Sequence, residues 1–542
     1  MKFSVSAEST HDAVAFAVEE LRRCLALYAG ALEPAAETVH LVVVAPTNQE
    51  VDEYTIDVDL AASRGSITGS NPRAVLFGVY RLLTEIGFRW VRPGILGEVV
   101  PQAPAMRPHI RLTSRASYRH RGICIEGAAS RENVLELIHW MVKLGFNGYY
   151  IQFRDGYTFF ARWYLHRDNK EIPPEPFSVE RAVEITRDVR SELRKLDLDL
   201  HMVGHGWTCE PYGIPGNDWY EHKEPIAPEI KRHFAMINGK RELFDNIILR
   251  TNLCYSSPEV RETLTAAVRD WAVANPDVNI IHFWLADSSK NFCECTNCAV
   301  KRPADWYVDL LNEIDRKLTA AGVNTRIVFG LGHDLLWPPE RSRLEHPERF
   351  ILMFAPITRT FTTPFVPDDS ALTDNAPLLP YVLNKVDAPS NPAKNLSFLR
   401  AWQRIFSGSS FDYDYHFMWD HHKDAGFYTM AQILHRDCQD LSKIGLDGLM
   451  SCQNQRTFYP NALGMTVMGR TLWNRELGFE EIASDFFRSA YGEADAEAAR
   501  DYFHTVSQIF HPELLRGEGT EADRRAAAAG LPAYEEAVKR VF

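Results

Sequence analysis

No apolar run in the 542-residue sequence approaches the length of a membrane span. The amino-terminal MKFSVSAEST has neither the basic start nor the apolar stretch of a secretory leader. Internal repeats and low-complexity tracts are also lacking. Positive charge is in short supply: 59 Lys and Arg against 72 Asp and Glu leave a net charge of −13. That balance argues against nucleic acid or an anionic membrane as the partner. A disulfide framework is missing too, because nine Cys is an odd count and most stand singly within apparent strands and helices. Together these absences predict a cytoplasmic protein with reduced thiols. What is present, 45% apolar and 24% charged residues, is ordinary for a soluble enzyme.

The order of patterns predicts an α/β protein: a (β/α)8 TIM barrel with an N-terminal α/β accessory domain and a C-terminal helical extension. Residues 1–112 read as the accessory domain. Leu41–Ala45 is an apolar strand, Tyr54–Asp59 an alternating one, and Ala13–Leu27 carries apolar residues on one helical face. A second helix runs from the Ser70-Asn71-Pro72 turn to just before Gly87. Pro101, Pro104 and Pro108 read as a stiff linker. Residues 113–460 show eight strand patterns with helical patterns between most of them. The strands centre on 122–126, 148–153, 198–203, 279–286, 326–331, 350–354, 411–417 and 447–451. Residues 206–246 and 355–398 are long, polar and Pro-rich, and read as loops over the active face. Residues 461–542 read as helices packed on the barrel.

The richest stretch is His282–Cys298, HFWLADSSKNFCECTNC. An apolar strand stops at Asp287, and an acid at the carboxyl end of a buried parallel strand is where such barrels place their chemistry. Other predicted strand ends carry Glu126, His205, His333, Asp334, Asp412 and Asp414. A barrel floor needs no ring of carboxylates and imidazoles for stability, so their recurrence points to a site. Paired carboxylates suggest glycoside hydrolysis, with one acid protonated and one ionised. Asp287 is expected to be the acid, since burial would raise its pKa. Asp414 is the preferred partner, with Glu126 and Asp334 competing. Alternation puts Asp412, Asp414 and His416 on the inward face of their strand and turns Tyr413 and Tyr415 away. His205, Trp207, His333, Asp334, Asp412, His416 and Trp419 are the candidate sugar-binding residues. Cys293, Cys295 and Cys298 suit a thiolate metal site, read as structural zinc beside Asp287. Cys254 is the favoured fourth ligand, with Cys209 or a His as alternatives. An iron–sulfur cluster is the lesser reading.

Two resemblances extend this reading. Gly69, Arg73, Gly78, Tyr80, Gly87, Trp90 and Pro93 form a run that resembles the N-terminal domain of family 20 hexosaminidases and family 67 α-glucuronidases. Leu253-Cys254, Ser257-Pro258-Glu259-Val260, the strand ending in Asp287 and the Cys-x-Cys-x2-Cys element together resemble the DUF4838 family. That resemblance implies a carbohydrate-active barrel over roughly residues 60 to 495. The family 20 pattern breaks at Asp287, which is followed by Ser288 rather than Glu. Substrate-assisted hexosaminidase chemistry is therefore not expected.

The expected function is an exo-acting glycoside hydrolase on short oligosaccharides, a small-molecule carbohydrate substrate. One alternative is a metal-dependent lyase, isomerase or hydrolase with His205, His333, His416 and Asp414 as ligands. Another is a non-catalytic carbohydrate-binding protein. The sequence leaves a homo-oligomer open.

Overall fold

The computed structural model describes residues 2–30, 32–44, 51–102, 108–167, 169–368, 377–420, 423–454, 457–510, 514 and 520–541. The N-terminal strands are β1 (Val5–Ala7), β2 (Val39–Val43), β3 (Glu53–Asp59) and β4 (Arg64–Gly69), followed by a small ribbon of β5 (Arg89–Trp90) and β6 (Glu98–Val99). The chain then returns as β7 (His109–Arg115), completing a five-stranded sheet of order β1-β2-β4-β3-β7. β3 pairs antiparallel with both β4 and β7. This unit therefore runs past residue 112: the stretch read as a linker leads back to the sheet edge, where β7 pairs with β3 along its full length. Helices Asp12–Ala29 and Pro72–Ile86 cover the sheet. The second starts because the Asn71 side chain accepts the Ala74 N–H and Pro72 pre-sets the first turn. It stops at Gly87, whose φ of +120° suits glycine.

The barrel is closed by eight parallel strands: β8 (His120–Ile125), β9 (Gly148–Gln152), β10 (Asp199–Gly204), β11 (Ile280–Phe283), β12 (Arg326–Leu331), β13 (Phe350–Phe354), β14 (Ser409–Asp414) and β15 (Gly448–Gln453). β15 pairs with β8, closing the ring. All eight coincide with the segments expected from periodicity, as runs covered on both faces should. Helices Leu463–Trp473, Phe479–Tyr491, Ala496–Ile509 and Glu521–Val541 follow the last strand.

A buried ion cluster ties the sheet unit to the barrel. Asp52 accepts from Arg73 Nε at 2.9 Å and from Arg121 Nη2, on β8, at 2.6 Å. Burial would raise the Asp52 carboxyl, but the two guanidiniums outweigh it and hold the group well below the usual carboxylate range. Trp473 adds an apolar seam, stacking on Tyr54 with centroids 5.1 Å apart. The barrel is thereby held on its outer side, and the C-terminal strand ends are left for the site.

Candidate active site

The interior of the barrel is aromatic. Tyr150 on β9, Trp284 after β11 and Phe411, Tyr413 and Tyr415 on and after β14 pack together with Met450 of β15. Above them opens a cavity of about 550 Å³, lined by residues from the C-terminal ends of the strands and the loops that follow. Glu126, Gln152, His205, Asp287 and His333 line it, together with Arg162, Trp219, Arg250, Trp284 and Tyr415. Gln152 Oε1 and Trp284 Nε1 are buried without a protein hydrogen-bond partner, an acceptor and a donor on lining residues.

Two carboxylates face this space, in unlike surroundings. Asp287 accepts from Trp219 Nε1 at 2.8 Å and lies 3.9 Å from His205 Nε2 and 3.8 Å from His333 Nε2. Its backbone N–H donates to the Leu249 carbonyl at 2.8 Å, fixing the turn. Burial would raise its pKa, but the two imidazoles and the indole donor outweigh burial and hold it well below the carboxylate range. His205 is wedged edge-on between Trp219 and Trp284, and burial lowers its pKa. Glu126 Oε1 accepts from Tyr413 OH at 2.7 Å and from Gln152 Nε2 at 2.9 Å. Burial raises its pKa, the charge of Asp287 adds to that, and the donors only partly offset it. The two carboxylates are thus shifted in opposite directions. The shift at Asp287 is opposite to the one expected from burial, because the imidazoles beside it come from the loops after β10 and β12 and were not visible as its neighbours in sequence.

Strained backbone clusters at the same mouth. Val203, Phe153 and His333 have φ of +82°, +69° and +51°. A β-branched residue at positive φ is costly and persists only where its surroundings over-determine it. Gly204 follows at φ +87°, where a side chain would strike the Tyr150 hydroxyl.

Several expected site residues lie elsewhere. The faces of β14 are inverted relative to the expectation. Phe411, Tyr413 and Tyr415 fill the barrel, and Asp412, Asp414 and His416 point outward to the helix Thr429–Asp440. There His416 Nδ1 sits 2.6 Å from Asp414, and Arg359 donates to Asp437 at 2.9 Å. Burial and the charge of Asp414 raise the Asp412 carboxyl, while His416 and Arg359 overcome burial to hold Asp414 low. This is an internal ion cluster behind the barrel wall, so Asp414 is not the partner of Asp287. Asp334 is 1% exposed and is occupied by the Lys290 N–H at 2.9 Å and the Tyr381 hydroxyl at 3.1 Å. Trp207 is fully buried and donates to the His282 carbonyl at 2.9 Å. The side chain of Trp419 lies outside the described residues. His205 and His333 face the cavity while His416 and Asp414 lie behind the wall, so these four cannot share one metal ion. Among the described residues, the group able to hold a metal is Cys254, Cys293, Cys295 and Cys298.

Trp219 and Arg250 were not singled out from sequence. Both sit in loops before β11, and nothing in their local pattern separates them from other loop residues. Arg154 pairs with Glu210 and Arg359 with Asp437. Arg162 lies in the cavity wall over the Phe159 and Trp219 rings, donates to the Glu126 carbonyl at 2.8 Å and has no carboxylate partner among the described residues.

The fold has clear counterparts. The chain superposes on a GH138 enzyme targeting pectin rhamnogalacturonan II, with a TM-score of 0.55 at 12% identity, over 95% of this chain and 56% of that one. It superposes on a family 89 glycoside hydrolase from Clostridium perfringens, in complex with 2-acetamido-1,2-dideoxynojirmycin, with a TM-score of 0.51 at 10% identity, over 91% and 52%. The chain therefore spans little more than half the length of these counterparts. No curated protein matches the sequence. A closed eight-stranded barrel with this likeness has a glycoside-hydrolase-like fold. Residues 216–504 match the family described as "Domain of unknown function (DUF4838)", and the chain belongs to that family.

Proposed function

We propose that this protein is a glycoside hydrolase acting on a short saccharide, with Glu126 as the general acid and Asp287 as the ionised carboxylate. The observation that carries the reading is the opposed electrostatics of two carboxylates lining one cavity. Glycoside hydrolysis needs that pair: a proton for the leaving oxygen, and an anion to attack the sugar or activate water. Tyr413 and Gln152 both donate to Oε1 of Glu126, which favours Oε2 as the atom that carries and delivers the proton. The Trp219 N–H and two imidazoles keep Asp287 anionic as positive charge grows on the sugar. Gln152 Oε1 and Trp284 Nε1 take sugar hydroxyls, and Tyr415 offers a ring face. A cavity of this size suits terminal sugars of a short chain, hence exo action. Arg162 makes acid-bearing sugars a necessary part of any substrate screen. The nine unpaired thiols suit a reducing cytoplasm.

The test is sugar release from a panel of oligosaccharides and aryl glycosides, uronides included, by the wild type beside an Asp287→Asn, Glu126→Gln double variant. Release that the double variant lacks supports the reading. Release equal in both, or saccharide binding by the wild type with no turnover across the panel, sinks it. The second outcome would favour a carbohydrate-binding protein.

The outward position of Asp414 makes a contrasting prediction. Asp414→Asn breaks a fully buried pair with His416 and is expected to cost about 3 kcal/mol of stability. The folded fraction should keep kcat/KM within about threefold, since substitutions away from the reacting groups act on stability rather than on the transition state. Thermal unfolding and kinetics on the same preparation check this. A collapse in kcat with an unchanged Tm would return Asp414 to the machinery.

A further inference from the structure

Beside the cavity, four cysteines that the proposed hydrolysis does not use come together from the loops that follow Arg250 and Asp287. The Sγ atoms of Cys254, Cys293, Cys295 and Cys298 all lie within 4.8 Å of one another. Cys254 is 3.7 Å from Cys295 and 3.8 Å from Cys298. A tetrahedron of sulfurs about 2.3 Å from a central zinc has edges of about 3.8 Å. None of these thiols is in a disulfide, and three of the four are buried. The packing is too tight for an iron–sulfur cluster, whose irons and bridging sulfides must fit between the thiolates.

The surroundings suit thiolates. The Met236 N–H donates to Cys293 Sγ at 3.2 Å, and the Ser256 hydroxyl lies 3.1 Å from Cys298 Sγ. The Arg241 guanidinium donates toward Cys254 at 3.7 Å and Cys293 at 3.9 Å. A tetrathiolate zinc centre carries net negative charge, and a guanidinium beside two of its sulfurs offsets part of it. With four sulfurs and no open position, such a site is structural.

We infer that Cys254, Cys293, Cys295 and Cys298 bind one zinc ion, which clamps two distant loops into the wall that carries Asp287. The backbone shows what the clamp holds. Glu294 N–H donates to the Met236 carbonyl at 2.7 Å, and Ala235 N–H to the Asn252 carbonyl at 2.8 Å. Asn252 accepts the Ala286 N–H at 3.2 Å and donates to Asn291 at 2.8 Å, and Asn291 donates to the Arg250 carbonyl at 2.8 Å. The residue before Asp287 is thus bonded to Asn252, two residues before Cys254, and Asn252 to Asn291, two residues before Cys293. The four ligands come from segments that are separated in sequence by the helix Pro258–Ala274 and by β11. Metal binding would therefore tie Cys254 to residues 293–298 across that helix and strand, at a place where the local apolar cluster is small.

The test is metal analysis of the full chain, expressed with zinc and purified without chelator. The expected result is about one zinc per chain with four sulfurs at about 2.3 Å by X-ray absorption. Cys295→Ser, at the half-exposed ligand, should drop zinc below about 0.2 equivalents and lower Tm by roughly 5 °C or more. Cys24→Ala, in the core of the N-terminal unit, should keep the full zinc content. Should Cys295→Ser prove insoluble, titrating wild-type thiols with a mercurial and reading released zinc with a chromogenic chelator gives the same answer. About one zinc released per four thiols blocked supports the site. Wild type with less than about 0.2 equivalents of zinc, iron in its place, or zinc retained in Cys295→Ser overturns the inference. None of these readouts needs a substrate, so their failure is distinct from failure of the hydrolase reading.

Discussion

Glu126→Gln is expected to lower kcat/KM by roughly 10²–10⁴-fold on glycosides with a poor leaving group. The loss should shrink sharply on aryl glycosides whose phenolate departs without a proton. That split follows from the role: an acid matters in proportion to the basicity of the oxygen it must protonate. The isosteric amide keeps the bond from Tyr413 to the side-chain oxygen, so the change isolates the proton. An equal loss on both substrate types would mean that Glu126 binds or shapes the cavity instead. On the proposed reading the same group should set the alkaline limb of the pH profile. Its pKa is raised above the ordinary carboxylate value, so the protonated form persists to higher pH and activity falls as pH climbs through that raised value. In Glu126→Gln that limb should disappear for the aryl substrates.

Asp287→Asn should be as damaging, roughly 10³–10⁴-fold in kcat/KM, but without respect to leaving group. Its carboxylate is held well below the usual range, so the acid limb it governs lies below the pH at which ordinary carboxylates titrate. The acid limb and the alkaline limb are therefore pushed apart, and wild-type activity should form a broad plateau. Activity in Asp287→Asn close to that of wild type would remove Asp287 from the chemistry. The imidazoles offer a finer check. His333→Ala removes one of the two imidazoles beside Asp287 and should move the acid limb upward, because the carboxylate then loses a partner that favours its ionised form.

Most of the architecture was readable from periodicity. Eight buried parallel strands are covered on both faces, so each shows as a compact apolar run that stops at a polar residue, as at Ile125-Glu126 and Ala286-Asp287. The cysteine cluster was also legible, because Cys293-x-Cys295-x2-Cys298 is a local pattern with few other uses, and Cys254 does meet it. Strand β14 shows where such reading stops. Alternation separates Asp412, Asp414 and His416 from Phe411, Tyr413 and Tyr415, but a period of two does not say which set faces the barrel axis. The polar set looked like the pocket. In the fold it lies behind the wall near Arg359 and Asp437, with His416 Nε2 3.6 Å from Asp437, while Tyr413, on the face expected to point away, touches Glu126. Trp207 failed for a related reason: a ring after a strand end can turn into the core as readily as into the mouth. Trp219 could not be found at all, since its partnership with Asp287 crosses 68 residues.

Local chain chemistry, then, was enough for the barrel, for Asp287 beyond a strand end and for the three thiols Cys293, Cys295 and Cys298. Those features depend on runs, spacings and breakers that lie within a few residues of each other. The assignment of acid and anion was not of that kind. It depends on charges brought together from β8, β10, β11 and β12, and a pKa responds to neighbours in space. His205, Trp219 and His333 approach Asp287 only once the ring of strands has closed, and closure is what shifts two similar carboxylates in opposite directions.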